Sequence, residues 1–174
     1  RASRFPNFHD SYFGRTSQNL LQELPTCSAC KRQPTGAFGA VSVLMIGTND
    51  FTLSGKANAS EVVLNIRHIT SVLRCCGSKY VIVAVPPNID FRRIRTFRKK
   101  SRAARWLSYI DSVREGLLSG LNMWHNGTVD LSDPRIFNAT EHTVDGIHPN
   151  REGERLISRA MFSQLNHWIR ELLL

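Results

Sequence analysis

Ala40-Val41-Ser42-Val43-Leu44-Met45-Ile46-Gly47-Thr48-Asn49-Asp50 is the stretch that decides how this chain folds. Its first seven residues are almost continuously apolar, the pattern of a parallel strand covered on both faces. The run stops at Gly47, and Thr48-Asn49-Asp50 reads as a polar turn at the strand's carboxyl end. Tyr80–Val85 repeats the apolar pattern and is stopped by Pro86-Pro87, and Gly127–Leu131 reads as a short third strand. Helical periodicity fills the intervals. Asn58–Leu73 carries Val62, Ile66, Ile69 and Leu73 on one side, with Gly77 as its C-terminal cap. Arg98–Leu121 carries the stripe Ala103, Leu107, Ile110, Leu117 and Leu121. Glu152–Leu173 closes the chain with Ile157, Met161, Leu165, Trp168 and Leu172. A short helix is predicted over Ser17–Leu24, ended by Pro25. Strands alternating with helical crossovers predict a parallel sheet inside a three-layer α/β/α sandwich.

The 174 residues suit one domain, 1–174, long enough to bury a real core. The hydrophobic content of 41% is that of a globular protein, and the longest apolar runs are too short to span a bilayer. The chain opens Arg-Ala-Ser-Arg-Phe-Pro-Asn, with neither an initiator Met nor the apolar segment of a signal peptide. Three Asn-x-Ser/Thr sequons, at Asn58, Asn126 and Asn138, point outward toward a secretory route, whereas the start of the chain and its basic charge do not. Cys27-Ser-Ala-Cys30 has metal or redox spacing. Its counterpart is the adjacent pair Cys75-Cys76 and not a second C-x-x-C, so thiols or disulfides are expected, and no metal site.

The net charge is +9, and much of the excess is local. Arg92, Arg93, Arg95, Arg98, Lys99, Lys100, Arg102 and Arg105 form one run. A solvated loop and helix start is the expected reading, and a patch for nucleic acid phosphates or another anionic partner is the sharper one. Of aromatic residues only Phe97 lies within this run, with Phe91 and Trp106 at its flanks, which leaves little for base stacking.

In open α/β sheets, ligands bind beyond the carboxyl ends of the strands. Two polar segments fall there. One is Gly47-Thr48-Asn49-Asp50. The other is Asp145-Gly146-Ile147-His148-Pro149-Asn150, which places a carboxylate three residues before an imidazole. A general base needs an accessible ring and a carboxylate to fix its tautomer, and an Asp-x-x-His loop supplies both. Taken singly, each segment also fits an ordinary turn.

Together with Gly14-Arg15-Thr16-Ser17 and the following Leu20-Leu21 and Leu24-Pro25, these segments resemble, in order and context, those of the SGNH (GDSL-type) hydrolase superfamily. The resemblance covers most of the chain. It implies a flavodoxin-like sandwich and a serine esterase or lipase-like activity on an acyl or acetyl ester, without metal or organic cofactor. In its terms the Gly14 N–H and the Asn49 side chain are oxyanion donors, His148 is the base and Asp145 orients it. The chain departs from the superfamily at the nucleophile, because it contains no Gly-Asp-Ser. The nearest match, His9-Asp10-Ser11, makes Ser11 the candidate within the chain. It lies only three residues before Gly14, with no room for the intervening helix and strand. The first strand and its serine are therefore expected upstream of Arg1, the alternative being that they were lost in evolution. The missing strand is expected to be a central one, whose neighbours must close up or leave backbone unpaired, and this piece to be poorly stable alone. The alternative is a non-catalytic relative that binds RNA or another anionic partner through its basic surface. An esterase domain within a larger polyprotein would combine the two.

Overall fold

The structure, a computed structural model, describes residues 15–24, 40–54, 57–94, 100–120 and 123–172. Their order is α1 (Ser17–Glu23), β1 (Ala40–Met45), α2 (Thr48–Ser54), α3 (Ala59–Cys75), β2 (Ser78–Val85), α4 (Lys100–Ser119), β3 (Gly127–Asp130), α5 (Ala139–His142) and α6 (Arg151–Leu172). The three strands form one parallel sheet in the order β1-β2-β3. Val43 pairs with Ile82 and Met45 with Ala84 on one side of β2, and Val85 pairs with Asp130 on the other.

β2 is the centre, and Val81 through Val85 are fully buried. Its side chains divide between two cores. Val81, Val83 and Val85 join Leu44 beneath α3 and α4, against Ile66, Ile69, Trp106, Ile110 and Leu117. Ile82 and Ala84 join Val129 and Leu131 on the opposite face, where Ile157, Met161 and Leu165 of α6 pack on them. Each fully buried Val or Ile contributes about 1.5–3 kcal/mol relative to exposure. The expected three layers are present, and no described helix is long and apolar enough to cross a membrane.

α3 begins where Asn58 caps it, its side chain accepting the Ser60 N–H at 3.1 Å. It ends at the expected glycine: Gly77 takes φ +100°. The predicted face of α4 holds at Ile110 and Leu117, which are buried, but not at Leu107, which is 52% exposed. Trp106, Tyr109 and Val113 complete the buried face, because the two aromatic rings bury far more surface than Leu107 could. Leu121 lies outside the described residues.

Among the described residues β1, β2 and β3 are contiguous. The open position lies at the far edge of β1, which has no partner strand among the described residues. On that strand Val43 and Met45 are 43% and 48% exposed, unlike the two-sided burial usual for parallel strands. Cys76 is disulfide-bonded, and Cys75 is a free, exposed thiol.

Candidate active site

The chain leaves β1 through Gly47, at φ +122°. A side chain there would be strained, and a Cβ would lie 3.2 Å from Pro86 Cγ. The Gly47 carbonyl accepts a hydrogen bond from the buried Tyr109 hydroxyl at 2.7 Å. Burial, then the nearby Asp50 charge, push the Tyr109 phenol far above its usual range, so it remains a neutral donor.

Thr48-Asn49-Asp50 is not the turn expected from sequence but the first turn of α2. Thr, Asn and Asp suit helix starts as well as turns, and the buried Phe51 then anchors the helix. The Phe51 ring meets Trp106 edge-on at 5.2 Å. With the anchor turned inward, Asn49 and Asp50 reach α1. Asn49 Nδ2 donates to the Arg15 carbonyl at 3.1 Å. The Asp50 carboxylate accepts from the Ser17 N–H at 2.9 Å and from its hydroxyl at 2.6 Å, and Asn65 Nδ2 donates to the same hydroxyl at 3.0 Å. The Asp50 carboxylate thus sits at the positive end of α1. Asn49 is thereby held against the residue that follows Gly14. Gly14 itself, and Ser11, lie outside the described residues.

The Asp-x-x-His segment is a closed loop. Thr143 and Pro149 bridge its neck, and the Val144 N–H donates to the His148 carbonyl at 2.8 Å. Inside it Asp145 Oδ1 accepts the N–H groups of Ile147 and His148 at 2.9 and 2.8 Å. The other oxygen, Oδ2, lies 2.7 Å from His148 Nδ1. Burial acts to raise the Asp145 pKa. The His148 backbone N–H, the His148 ring and the Ile147 N–H outweigh it and hold the carboxyl at about 2. An ionised carboxylate can only accept, so Nδ1 carries the ring proton and Nε2 is left as the basic nitrogen. The His148 side chain is 64% exposed, open to a reacting group.

Behind the loop, Ile147 packs against the same apolar cluster that holds Phe51 and Trp106. Asp145 meets His148, and Asn49 meets the Arg15 segment. The two pairs share one support at the carboxyl end of the sheet. Among the described residues no group of three or more His, Cys, Asp or Glu is placed to hold a metal ion.

Sequence reasoning, which expected loop 87–97 to border the cleft, did not foresee the contacts this segment makes. Arg92 and Arg93, expected as part of a solvated or anion-binding face, are engaged within the molecule. Arg92 pairs with Asp90 through Nε at 3.1 Å and reaches Thr140 Oγ1 at 3.0 Å. The Arg93 guanidinium donates to the carbonyls of Thr143 and Val144 at 2.9 and 2.7 Å. An Asp-x-Arg spacing was readable here, and it recurs as the Asp133–Arg135 pair at 2.6 Å. Asn150, in the segment already singled out, also links two elements. It donates to the Glu141 carbonyl at 2.8 Å and accepts the Gly153 N–H at 2.9 Å, capping α6.

No family model and no curated protein matches the sequence. Solved structures do match in three dimensions. A lipase/acylhydrolase from Enterococcus faecalis is 19% identical, with a TM-score of 0.61 over 87% of this chain and 71% of that one. A GDSL-like lipase from Bacteroides thetaiotaomicron is 20% identical, with a TM-score of 0.64 over 88% and 72%. A carbohydrate esterase family 3 protein from Talaromyces cellulolyticus is 17% identical, with a TM-score of 0.66 over 91% and 70%. With its three-stranded parallel sheet, its helices on both faces and these neighbours, the chain has the fold of the SGNH (GDSL-type) hydrolases, a flavodoxin-like α/β/α sandwich.

Proposed function

We propose that this chain is the base-bearing and oxyanion-bearing portion of a serine ester hydrolase of the SGNH type. The observation that carries the reading is the 2.7 Å contact between His148 Nδ1 and Asp145 Oδ2, with the ring otherwise exposed. His148 Nε2 takes the proton of a serine hydroxyl as the serine oxygen bonds to the ester carbonyl carbon. Asp145 stabilises the imidazolium that forms. The carbonyl oxygen becomes an oxyanion, held by Asn49 Nδ2 together with the Gly14 N–H. The imidazolium then protonates the departing alcohol as the ester C–O bond breaks. Water, deprotonated by the same ring, releases the acyl group as a carboxylic acid and restores the serine.

On this reading the serine comes from a segment preceding Arg1. Ser11 is the candidate inside the chain, but it leaves no room for a strand before the glycine segment. A small acyl ester is the favoured substrate class. Support for it comes from the neighbours described as an acylhydrolase and a carbohydrate esterase, and from a further one described as an acetyl xylan esterase. No observation favours the alternative of an RNA-binding module, and Arg92 and Arg93 are turned to contacts of their own.

The test is a serine-directed phosphonate probe applied to the protein extended upstream of Arg1. Labelling that disappears on His148→Ala supports the reading, and an extended protein that takes no label sinks it.

A further inference from the structure

We propose that Arg93 is a positioning residue for the His148 base: its guanidinium fork holds the two carbonyls that precede Asp145 and so fixes the backbone on which the Asp145–His148 pair is built. The inference rests on the functional reading above.

The Asp145–His148 loop packs on the core through Ile147, while its two paired side chains stand open. The two side chains are 50% and 64% exposed, and Val144 is 64% exposed. Their mutual geometry is therefore only as fixed as the backbone beneath them. On the carboxyl side that backbone is tied to α6 through Asn150. On the amino side the buried Thr143 hydroxyl donates to the Ala139 carbonyl and accepts the Gly146 N–H at 3.0 Å, and further ties come from the segment after β2. Arg93 Nη1 donates to the Thr143 carbonyl at 2.9 Å, and Nη2 donates to the Val144 carbonyl at 2.7 Å. These are the two peptide carbonyls immediately before Asp145. A planar guanidinium spans two neighbouring acceptors at once, which the single ammonium of a lysine does less well.

The rest of the contact is shaped around this fork. The Asp90 N–H donates to the Gly146 carbonyl at 3.0 Å, inside the Asp-x-x-His segment itself. A Cβ on Gly146 would lie 2.5 Å from the Asp90 carbonyl oxygen and 3.3 Å from Arg93 Cβ, so the two backbones approach as closely as glycine allows. Arg92, anchored on Asp90, reaches Thr140 at the start of the same segment. The loop that ends the central strand thus grips the base loop at Thr140, Thr143, Val144 and Gly146, and the rigid sheet sets where the imidazole stands. Holding a reacting group to within a fraction of an ångström matters because a 1 Å displacement costs on the order of a hundredfold in rate.

The experiment reads the His148 ring directly. Long-range 15N–1H spectra of the imidazole distinguish Nδ1–H from Nε2–H. In the unsubstituted chain above neutral pH, Nδ1–H is expected to dominate. In Arg93→Met, which keeps an apolar stem and removes the fork, the ring is expected to shift toward the mixed tautomers of a free histidine. The amide spectrum of β2 and β3 should stay native. In Arg93→Lys the shift is expected to be intermediate. In the serine-containing protein the same substitutions are expected to lower kcat roughly ten- to a hundredfold with little change in KM. A native-folded Arg93→Met with an unaltered His148 tautomer overturns the proposal. Should that variant not fold, an unaltered tautomer in Arg93→Lys does so. The tautomer is read without substrate or nucleophile, so a failure of phosphonate labelling, which would remove the hydrolase reading, is a separate result.

Discussion

Asp50 and Ser17 stand 33 residues apart in sequence, yet the Asp50 carboxylate takes both the Ser17 N–H and the Ser17 hydroxyl, at 2.9 and 2.6 Å. Ser17 is completely buried, and its hydroxyl is also bonded by Asn65. One carboxylate therefore fastens the start of α1 to the start of α2. Asp50→Ala strands a buried donor pair. Since hydrogen bonds to charged groups contribute ~1.5–3 kcal/mol each, the loss is expected to be about 2–3 kcal/mol after relaxation, read by urea unfolding. Asp50→Asn, which keeps an acceptor oxygen, should lose less.

Glycine substitutions should rank by backbone clearance. Gly146 has φ +95° and only 2.5 Å between a new Cβ and the Asp90 carbonyl oxygen. Gly47 has φ +122° and 3.2 Å to the side-chain atom Pro86 Cγ, which can yield. Both alanine variants incur the left-handed penalty of ~1–2 kcal/mol. Gly146→Ala must in addition push the Asp90 backbone away from its own, so its melting temperature should fall further. Equal falls would count against the close packing of these loops.

The acid response of the Asp145 loop has a fixed sign. Its folded pKa, about 2, lies below the ordinary carboxyl value of 3.8. The ionised group therefore stabilises the folded state above 3.8, and the contribution is lost as pH falls toward 2. The stability gap between the unsubstituted chain and Asp145→Asn should be present at neutral pH and close over that window. Thermal melts at a series of pH values will show it. A gap that persists unchanged at pH 2 would contradict the pairing.

In a serine-containing protein, Asn49→Ala should lower kcat on an acetyl ester by ~10²–10³-fold while leaving KM nearly unchanged, the signature of a donor that acts mainly in the transition state. Because Asn49 also holds the Arg15 carbonyl, a modest fall in stability should accompany it. Steady-state kinetics alongside a melt separates the two effects.

Much of the architecture was legible because apolar runs and helical spacing report burial directly. Val41–Ile46 and Tyr80–Val85 read as strands and both form them, although Val43 and Met45 of the first stay half exposed, and Asn58 and Gly77 mark the two ends of α3. The Asp145–His148 pairing was legible because both partners share one short loop. What was hidden depends on contacts distant in sequence. Nothing local says that Thr48 begins a helix, because the decision rests with Phe51 finding Trp106 across the core. Nothing local says that Arg93 turns toward carbonyls 50 residues onward, since it is one of several arginines in a strongly basic stretch. Leu107 and Trp106 are adjacent, and only the packed sheet chooses between them.

The exposed flank of β1 bears on how this protein behaves at the bench. A strand whose outer edge meets no other described strand, with the apolar Val43 and Met45 beside it, is a template for another strand, including the same strand of another molecule. Produced alone, the chain should form soluble oligomers that grow with concentration, and Val43→Lys should disperse them without harming the central strand. Colloidal behaviour in a light-scattering cell is therefore a direct gauge of whether that flank is covered.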